Sequence, residues 1–548
     1  MEIRAVLRDP KTFGRQQHIQ WLLLASCNIL NALHLVASVF ISASVDFRCQ
    51  IPGLKNDTFA VQGWEHNSSI SQYIPLKSDG KYDSCHLRVT NTSQLETCNS
   101  YVYTTSIFKD TTVTEFNLVC DKTALSTLAG VVYMAGLFVG SIAFGAVSDK
   151  LGRKWTIYIG LCLQAVFALS IRFAPNLEAF ISLRFLLGAV CIGGLVTQFT
   201  LMIEISPPNR RTISAIVQTL GWAVGVILLS GIGFALRGWR DLQLCLACIS
   251  IPFILTYWWL LTESPTWLLS QGRFEEAVQI VKRIKELNNL EDVDTEQLVD
   301  TENEETQAKE SWRKVLVSRT IIINILINSF GWFVGSMGYY GLALNVGNLV
   351  GDIYVNNLIG GIVEVFAYFL LLICLKAGRK PVYILLMSIG GVALIVSGFL
   401  IVYLPEEGLS WVIVTISMIG KFAVSAGFEL IYFWSAEVYP TSMRNSMLGI
   451  NSAAARVGGM VSPVIADIPK YSENMPFAEG AAPLIFGAFM LMSALSAFFL
   501  PETNNIPIPE CVKDANELTY NYKGFKPYIS KTKLVGEVEM TSTKSNLL

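Results

Sequence analysis

Twelve stretches of roughly 20 or more mostly apolar residues run through the chain, at about 20–45, 123–147, 155–174, 178–203, 212–235, 241–262, 319–343, 352–376, 381–404, 410–435, 446–468 and 481–500. A helix needs roughly 20 such residues to cross the hydrocarbon of a bilayer. Composition agrees: 52% of the 548 residues are hydrophobic and 15% charged, against about 25% charged in a soluble globular domain. One soluble core of this size would exceed the usual ceiling of ~250–300 residues, and disorder needs the opposite composition. A net charge of −2 leaves no basic footprint for nucleic acid. The expectation is an all-α integral membrane protein with twelve transmembrane helices.

The first stretch follows a charged head (Arg4, Arg8, Lys11, Arg15). It is too long for the ~7–15-residue apolar region of a signal peptide and lacks a small-residue cleavage site, so it reads as a retained helix. Lys and Arg concentrate in short loops: 148–154 after span two, Arg210 and Arg211 after span four, and Lys376, Arg379 and Lys380 after span eight. The positive-inside rule makes that side cytoplasmic, together with both termini. The division is then 1–19 cytoplasmic head, 20–45 first helix, 46–122 external loop, 123–262 the rest of a first bundle, 263–318 cytoplasmic helical loop, 319–502 second bundle and 503–548 disordered tail. Within 263–318, Ala277, Ile280, Val281, Ile284 and Leu287 recur at helical spacing.

The loop 46–122 has different chemistry. It carries glycosylation sequons at Asn56, Asn67 and Asn91, which have meaning only in a lumenal or extracellular segment. Cys49, Cys85, Cys98 and Cys120 lie in or beside it and suggest two disulfides, with three pairings open. The remaining cysteines read as apolar fillers, and no Cys-x2-Cys pair is matched by a second, so no metal site is expected.

The two halves repeat. Asp149-Lys150-Leu151-Gly152-Arg153-Lys154 after span two is answered by Lys376-Ala377-Gly378-Arg379-Lys380 after span eight. Glu204 with Arg210 and Arg211 is answered by Glu437 with Arg444, and Thr262-Glu263-Ser264-Pro265 by Pro501-Glu502-Thr503. The offsets are 226 (153 to 379), 233 (204 to 437) and 239 (263 to 502). Three matches in one order imply a duplicated six-helix unit in parallel orientation. These acidic and basic residues are expected to pair at the cytoplasmic interface between the halves in one conformation and to separate in the other, as breakable contacts. Paired halves around a midplane site are the architecture of alternating-access carriers.

On these residues the sequence resembles the major facilitator superfamily and, more narrowly, its organic cation, carnitine and organic anion transporter family, over about residues 10–505. The resemblance rests on the long glycosylated first loop, on 145–154, on Glu263-Ser264-Pro265-Thr266-Trp267-Leu268-Leu269, on Ala436-Glu437-Val438-Tyr439-Pro440-Thr441 with Arg444-Asn445, and on Leu500-Pro501-Glu502-Thr503. It implies the major facilitator fold, two pseudo-symmetric six-helix bundles. Relatives often have six cysteines in the loop where this chain has four.

Ionisable residues at bilayer depth are functional candidates by default. Arg456 lies about ten residues into span eleven, near the midplane at 1.5 Å rise per residue. Glu364 lies in span eight, Lys421 and Glu429 in span ten, and Arg184 near the start of span four. Arg184 and Glu204 read as structural. Glu364 reads either as the neutralising partner of Arg456 or Lys421 or as a substrate contact, and Arg456 as lining a cavity. The resemblance implies Arg at 456 in anion and carnitine carriers, and 339–342 with 351–356 resembles the carnitine branch. A carnitine-like zwitterion would put its carboxylate on Arg456 and its quaternary ammonium over an aromatic face. Candidates for that face are Trp222, Phe330, Trp332, Tyr339, Tyr340, Tyr432 and Trp434. Asn31 matches an asparagine of the carnitine branch and is a candidate for sodium coupling.

The expected function is transport of small organic ions, organic cations or carnitine-like zwitterions, by alternating access at the plasma membrane. The chain is expected to act as a monomer or weak oligomer, without cofactor apart from Na+. An organic anion exchanger is the alternative, and a carrier-like receptor the reading from another class. No catalytic motif supports an enzyme.

Overall fold

The computed structural model describes residues 13–521 apart from 55, 77–81, 89–93, 208–209, 289–316, 345–350, 404–409, 441–442, 472–476, 505, 507–508 and 510–511. Asn91, Arg4, Arg8, Lys11 and the tail beyond 521 lie outside the described residues.

Twelve long helices follow the apolar stretches: α1 (Arg15–Val36, prolonged by a turn at Ser38–Ile41), α2 (Thr123–Leu151), α3 (Arg153–Arg172), α4 (Leu177–Glu204), α5 (Arg211–Ala235), α6 (Trp239–Leu260), α7 (Arg319–Leu344), α8 (Ile353–Cys374), α9 (Arg379–Tyr403), α10 (Ser410–Val438), α11 (Arg444–Ala466) and α12 (Ala481–Ala497). Ten are long and apolar enough to cross a membrane. The other two differ for separate reasons: α11 has 23 residues but carries Asn451, Ser452, Arg456 and Ser462, and α12 is apolar but has 17 residues.

The first helix sits at 15–41 rather than 20–45 because its polar first turn is satisfied inside the protein. Gln20 donates to the Leu260 carbonyl at 2.8 Å, and Gln17 accepts the Gly14 N–H at 3.0 Å. Small residues let helices close on one another, as in membranes generally. Gly136 and Gly140 of α2 lie against the carbonyls of Phe185 and Ala189 in α4, and Gly458 of α11 lies against that of Phe333 in α7. The duplicated unit is visible in the packing: α1 packs on α5 as α7 does on α11, and α3 on α6 as α9 does on α12. The halves meet through α2 against α11 and α5 against α8. The face carrying residues 46–122 is called the loop side below, and the opposite face, with its Lys- and Arg-bearing turns, the basic side.

On the loop side, β1 (Phe47–Cys49) pairs antiparallel with β4 (Tyr101–Tyr103), and β2 (His86–Arg88) with β3 (Leu95–Thr97). The disulfides are Cys49–Cys98 and Cys85–Cys120, which selects one of the three pairings. Arg48 grips Asp57 through two hydrogen bonds and donates to the Thr58 carbonyl at 2.6 Å. The Asp57 carboxylate, with no side-chain exposure, also accepts from the Ile51 N–H at 2.8 Å and meets His66 at 2.9 Å. Burial works to raise Asp57, but these partners outweigh it and hold the carboxyl below its ordinary range. Asn56 and Asn67 are exposed.

On the basic side, Phe274–Leu287 is the expected amphipathic helix. Ala277 and Val281 are buried with Trp267, Leu268 and Leu269, and Ile284 is buried as well, whereas Leu287 is exposed. The segment expected to be a disordered tail holds one ordered element. Val512–Asn521 is helical, with Val512, Ala515 and Leu518 buried on one face, and Asn516 accepts from Ser318 at 2.5 Å. The three-residue spacing of those apolar positions is the signal that the polar composition masked.

Candidate functional site

Four residues form one polar chain where the halves meet. Lys421 of α10 pairs with Glu364 of α8 at 3.2 Å. Tyr339 of α7 donates to the same Glu364 oxygen at 3.0 Å, and Trp222 of α5 donates its indole N–H to the Tyr339 hydroxyl at 2.5 Å. The chain therefore runs from the first half into the second. Glu364 is fully buried and its other oxygen, Oε2, has no hydrogen-bond partner. Gly360, one turn before Glu364, makes room for the lysine: a Cβ there would collide with Lys421 Nζ. Of the two partners the sequence allowed for Glu364, the structure selects Lys421.

Arg456 is half-buried. Its Nε has no hydrogen-bond partner, and no ion pair to it occurs among the described residues. Glu429, also half-buried, accepts from Thr219 of α5 at 3.0 Å. Glu429 lies one turn before Tyr432 on α10, and Arg456 lies one turn before Gly459 on α11, where a Cβ would come within 3.5 Å of the Tyr340 ring. The aromatic rings nearby are Tyr432, 5.0 Å from Phe199 of α4 across the halves, and the Tyr339–Tyr340 pair, with rings 5.4 Å apart. Three aromatic candidates do not join these as free faces. Trp332 packs tilted against Tyr432, with centroids 4.5 Å apart, but is buried and donates to Ser435 at 2.9 Å. Trp434 donates to the Pro501 carbonyl at 3.0 Å, and Phe330 packs on Phe489.

Asn31 is buried on α1 and donates to Gln198 of α4 at 3.2 Å. Its carbonyl oxygen is unpartnered, as is that of Asn28 one turn earlier. Arg184 lies apart from this cluster, over the Tyr133 ring at 4.0 Å.

The repeated motifs build two matching networks on the basic side. In the first half, Arg153 bonds Glu204 and Asp149, both at 3.0 Å, and Glu263 accepts the Arg153 and Lys154 backbone N–H groups at 2.8 and 3.2 Å. In the second, Arg379 bonds Glu437 at 3.0 Å, and Glu502 accepts the Arg379 and Lys380 N–H groups, both at 2.9 Å. Gly152 and Gly378 turn the chain with φ of +96° and +116°, and a side chain at either would strike the capping glutamate. Glycine is thus required twice over. Burial pushes the Glu263 carboxyl up, against backbone N–H groups and Arg153 that favour its charged form. These bonds lie within each half, whereas the sequence reading put them between halves. The reason is geometric: each arginine opens a helix directly beside the ends of its own bundle. Arg210 and Arg444 stay outside both networks, Arg210 over the Phe13 ring at 5.5 Å and Arg444 on the Tyr439 carbonyl at 3.3 Å.

The sequence reading missed the residues that seal the loop side. Asp352 caps α8 by accepting the Tyr354 N–H at 2.7 Å. Tyr354 then sits among Phe40, Phe108 and Phe234 of the first half, with ring separations of 5.3, 5.7 and 5.6 Å. Asn357 donates to Ser230 at 2.8 Å, and Thr127 of α2 donates to Asp467, just beyond α11, at 2.6 Å. An Asp-x-Tyr at a helix start was the available signal.

Comparison with known proteins agrees with this architecture. Residues 88–514 match the family described as sugar (and other) transporter. The chain is 32% identical to the organic cation transporter protein of Drosophila melanogaster, over 97% of both chains. It is 31% identical to solute carrier family 22 member 6-A of Xenopus laevis, covering 94% of each, and 29% to organic cation/carnitine transporter 2 of Homo sapiens, covering 93% of each. In fold it is similar to the inward open conformation of the xylose transporter XylE from E. coli, with a TM-score of 0.58 at 16% identity, covering 93% of this chain and 100% of that one.

Proposed function

The chain belongs to the sugar (and other) transporter family of the major facilitator superfamily, among its organic cation, carnitine and organic anion transporters, and from that membership we propose that it carries carnitine-like zwitterions and related organic cations by alternating access. It is a multi-pass membrane transporter of small organic substrates, not an enzyme. The observation that carries the substrate reading is that Arg456 and Glu429, on helices that also bring Tyr432 and Tyr340 nearby, make no ion pair among the described residues. A carboxylate takes the Arg456 guanidinium in a charge-assisted pair. The quaternary ammonium, which has no N–H to donate, is held by Glu429 electrostatically and by the faces of Tyr432 and Tyr340. Cation–π contact of that kind contributes about 0.5–2 kcal/mol, more when desolvated.

Lys421 is already paired with Glu364, so one cation of the cluster is left for an anionic group. That favours a zwitterion over a dianion. The unpartnered amide oxygens of Asn28 and Asn31 support sodium coupling on α1. Disulfides and exposed sequons on one face and basic turns on the other support a plasma-membrane protein with both termini in the cytoplasm.

The test is uptake of labelled carnitine, tetraethylammonium and hippurate in cells expressing the chain, with and without sodium. The reading expects carnitine uptake that Arg456→Ala abolishes and Glu429→Gln lowers at least tenfold. Tetraethylammonium uptake should survive the first change and fail with the second. Hippurate as the preferred substrate would favour an anion exchanger, and no uptake despite surface expression a receptor.

A further inference from the structure

A partly open cavity of about 100 Å3 lies on the loop side, away from the substrate cluster, and both halves build it. Residues Ser42, Ser126, Thr127 and Arg184 come from the first half, and Asp467 and Lys470 from the second. Pockets for drug-sized organic ligands run to about 300–1,000 Å3, so this one is too small for them, yet it exceeds what one water fills.

Its charge is not balanced. Asp467 is engaged by Lys470 at 2.7 Å and by Thr127 at 2.6 Å. Arg184 is 3% exposed and has no ion pair among the described residues. One N–H reaches Ser38, the Tyr133 ring covers one face at 4.0 Å, and Nη1 has no acceptor. Buried charges without a counter-charge are rare because desolvation is costly. A small anion in the cavity supplies the missing partner. Ser42 accepts from Thr112 at 3.0 Å, which leaves its own proton to donate.

We infer that this cavity binds a small monovalent inorganic anion such as chloride, held by Arg184 with the Ser42 and Ser126 hydroxyls. Because both halves line the site, the anion favours the state in which the loop side is closed. It acts as a latch on the outer gate, distinct from the substrate.

The test uses the purified full-length chain, exchanging sodium gluconate for sodium chloride at constant sodium. The thermal midpoint should rise saturably by a few degrees in the wild type. It should rise equally in Arg456→Gln, which removes the arginine of the substrate cluster, and not in Arg184→Gln. No chloride-dependent rise in the wild type, or a rise kept in Arg184→Gln, overturns the inference. Should Arg184→Gln fail to fold, Ser126→Cys provides the second measurement. Chloride should slow its labelling by a thiol reagent from the loop side several-fold above the wild-type background, and equal rates in the two salts overturn the inference.

Discussion

A buried carboxylate and a buried ammonium depend on each other, and Glu364 with Lys421 is such a pair. Removing one partner leaves an uncompensated charge at a cost of about 3–5 kcal/mol, while removing both is far milder. Glu364→Gln or Lys421→Met alone should therefore lower the thermal midpoint sharply, and the double variant should recover most of the loss. A double variant no better than the worse single one would contradict the pairing. The sequence made these charges visible but left the partner of Glu364 open, because the choice depends on how α8 and α10 are rotated against each other. The aromatic residues were less legible still. Tyr340 and Trp434 look alike in spans that are apolar all round, and periodicity cannot say which face meets the polar cluster. Asp57 makes a prediction outside the membrane. Its native carboxyl lies below the unfolded value of about 3.9. The stability it contributes is thus fully present above that pH and is lost as pH falls through the lower native value. Asp57→Asn should destabilise the loop at neutral pH and flatten its acid dependence, as read by limited proteolysis across pH 2–6.

At the scale of elements, the repeat was the most legible feature because each motif is local: a glycine turn, an arginine and a capping glutamate within one bundle. Gly152→Ala and Gly378→Ala meet the same obstacle, a positive φ and a glutamate in the way. Each should cost on the order of 1–3 kcal/mol, read as similar falls in thermal midpoint; a large effect at only one site would break the structural equivalence. What the sequence could not supply was the partner of each motif, since spacing does not reveal whether a helix end faces its own half or the other. The loop followed the same logic: four cysteines limited the pairings, and the β1–β4 ladder decided among them. Peptide mapping without reduction should recover Cys49 linked to Cys98 and Cys85 to Cys120. Losing either bond should cost about 2–5 kcal/mol.

Across the whole molecule, twelve helices and their duplication were readable because lipid imposes length and hydrophobicity directly on sequence. The conformation was not readable, since it depends on contacts between halves that are far apart in the chain. In this structure Tyr354, Asn357 and Thr127 join the halves on the loop side, and the Trp222–Tyr339 bond joins them at the centre. Alternating access requires these bonds to break as the halves rock, and the proposed substrate site at Arg456 and Glu429 would then open to the other side. The most direct test is counterflow in proteoliposomes holding the purified chain and preloaded with unlabelled carnitine. Labelled carnitine should accumulate transiently above its external concentration and then decay, and Arg456→Ala should abolish the overshoot. A monotonic rise to equilibrium, or no entry at all, would contradict carnitine transport by alternating access.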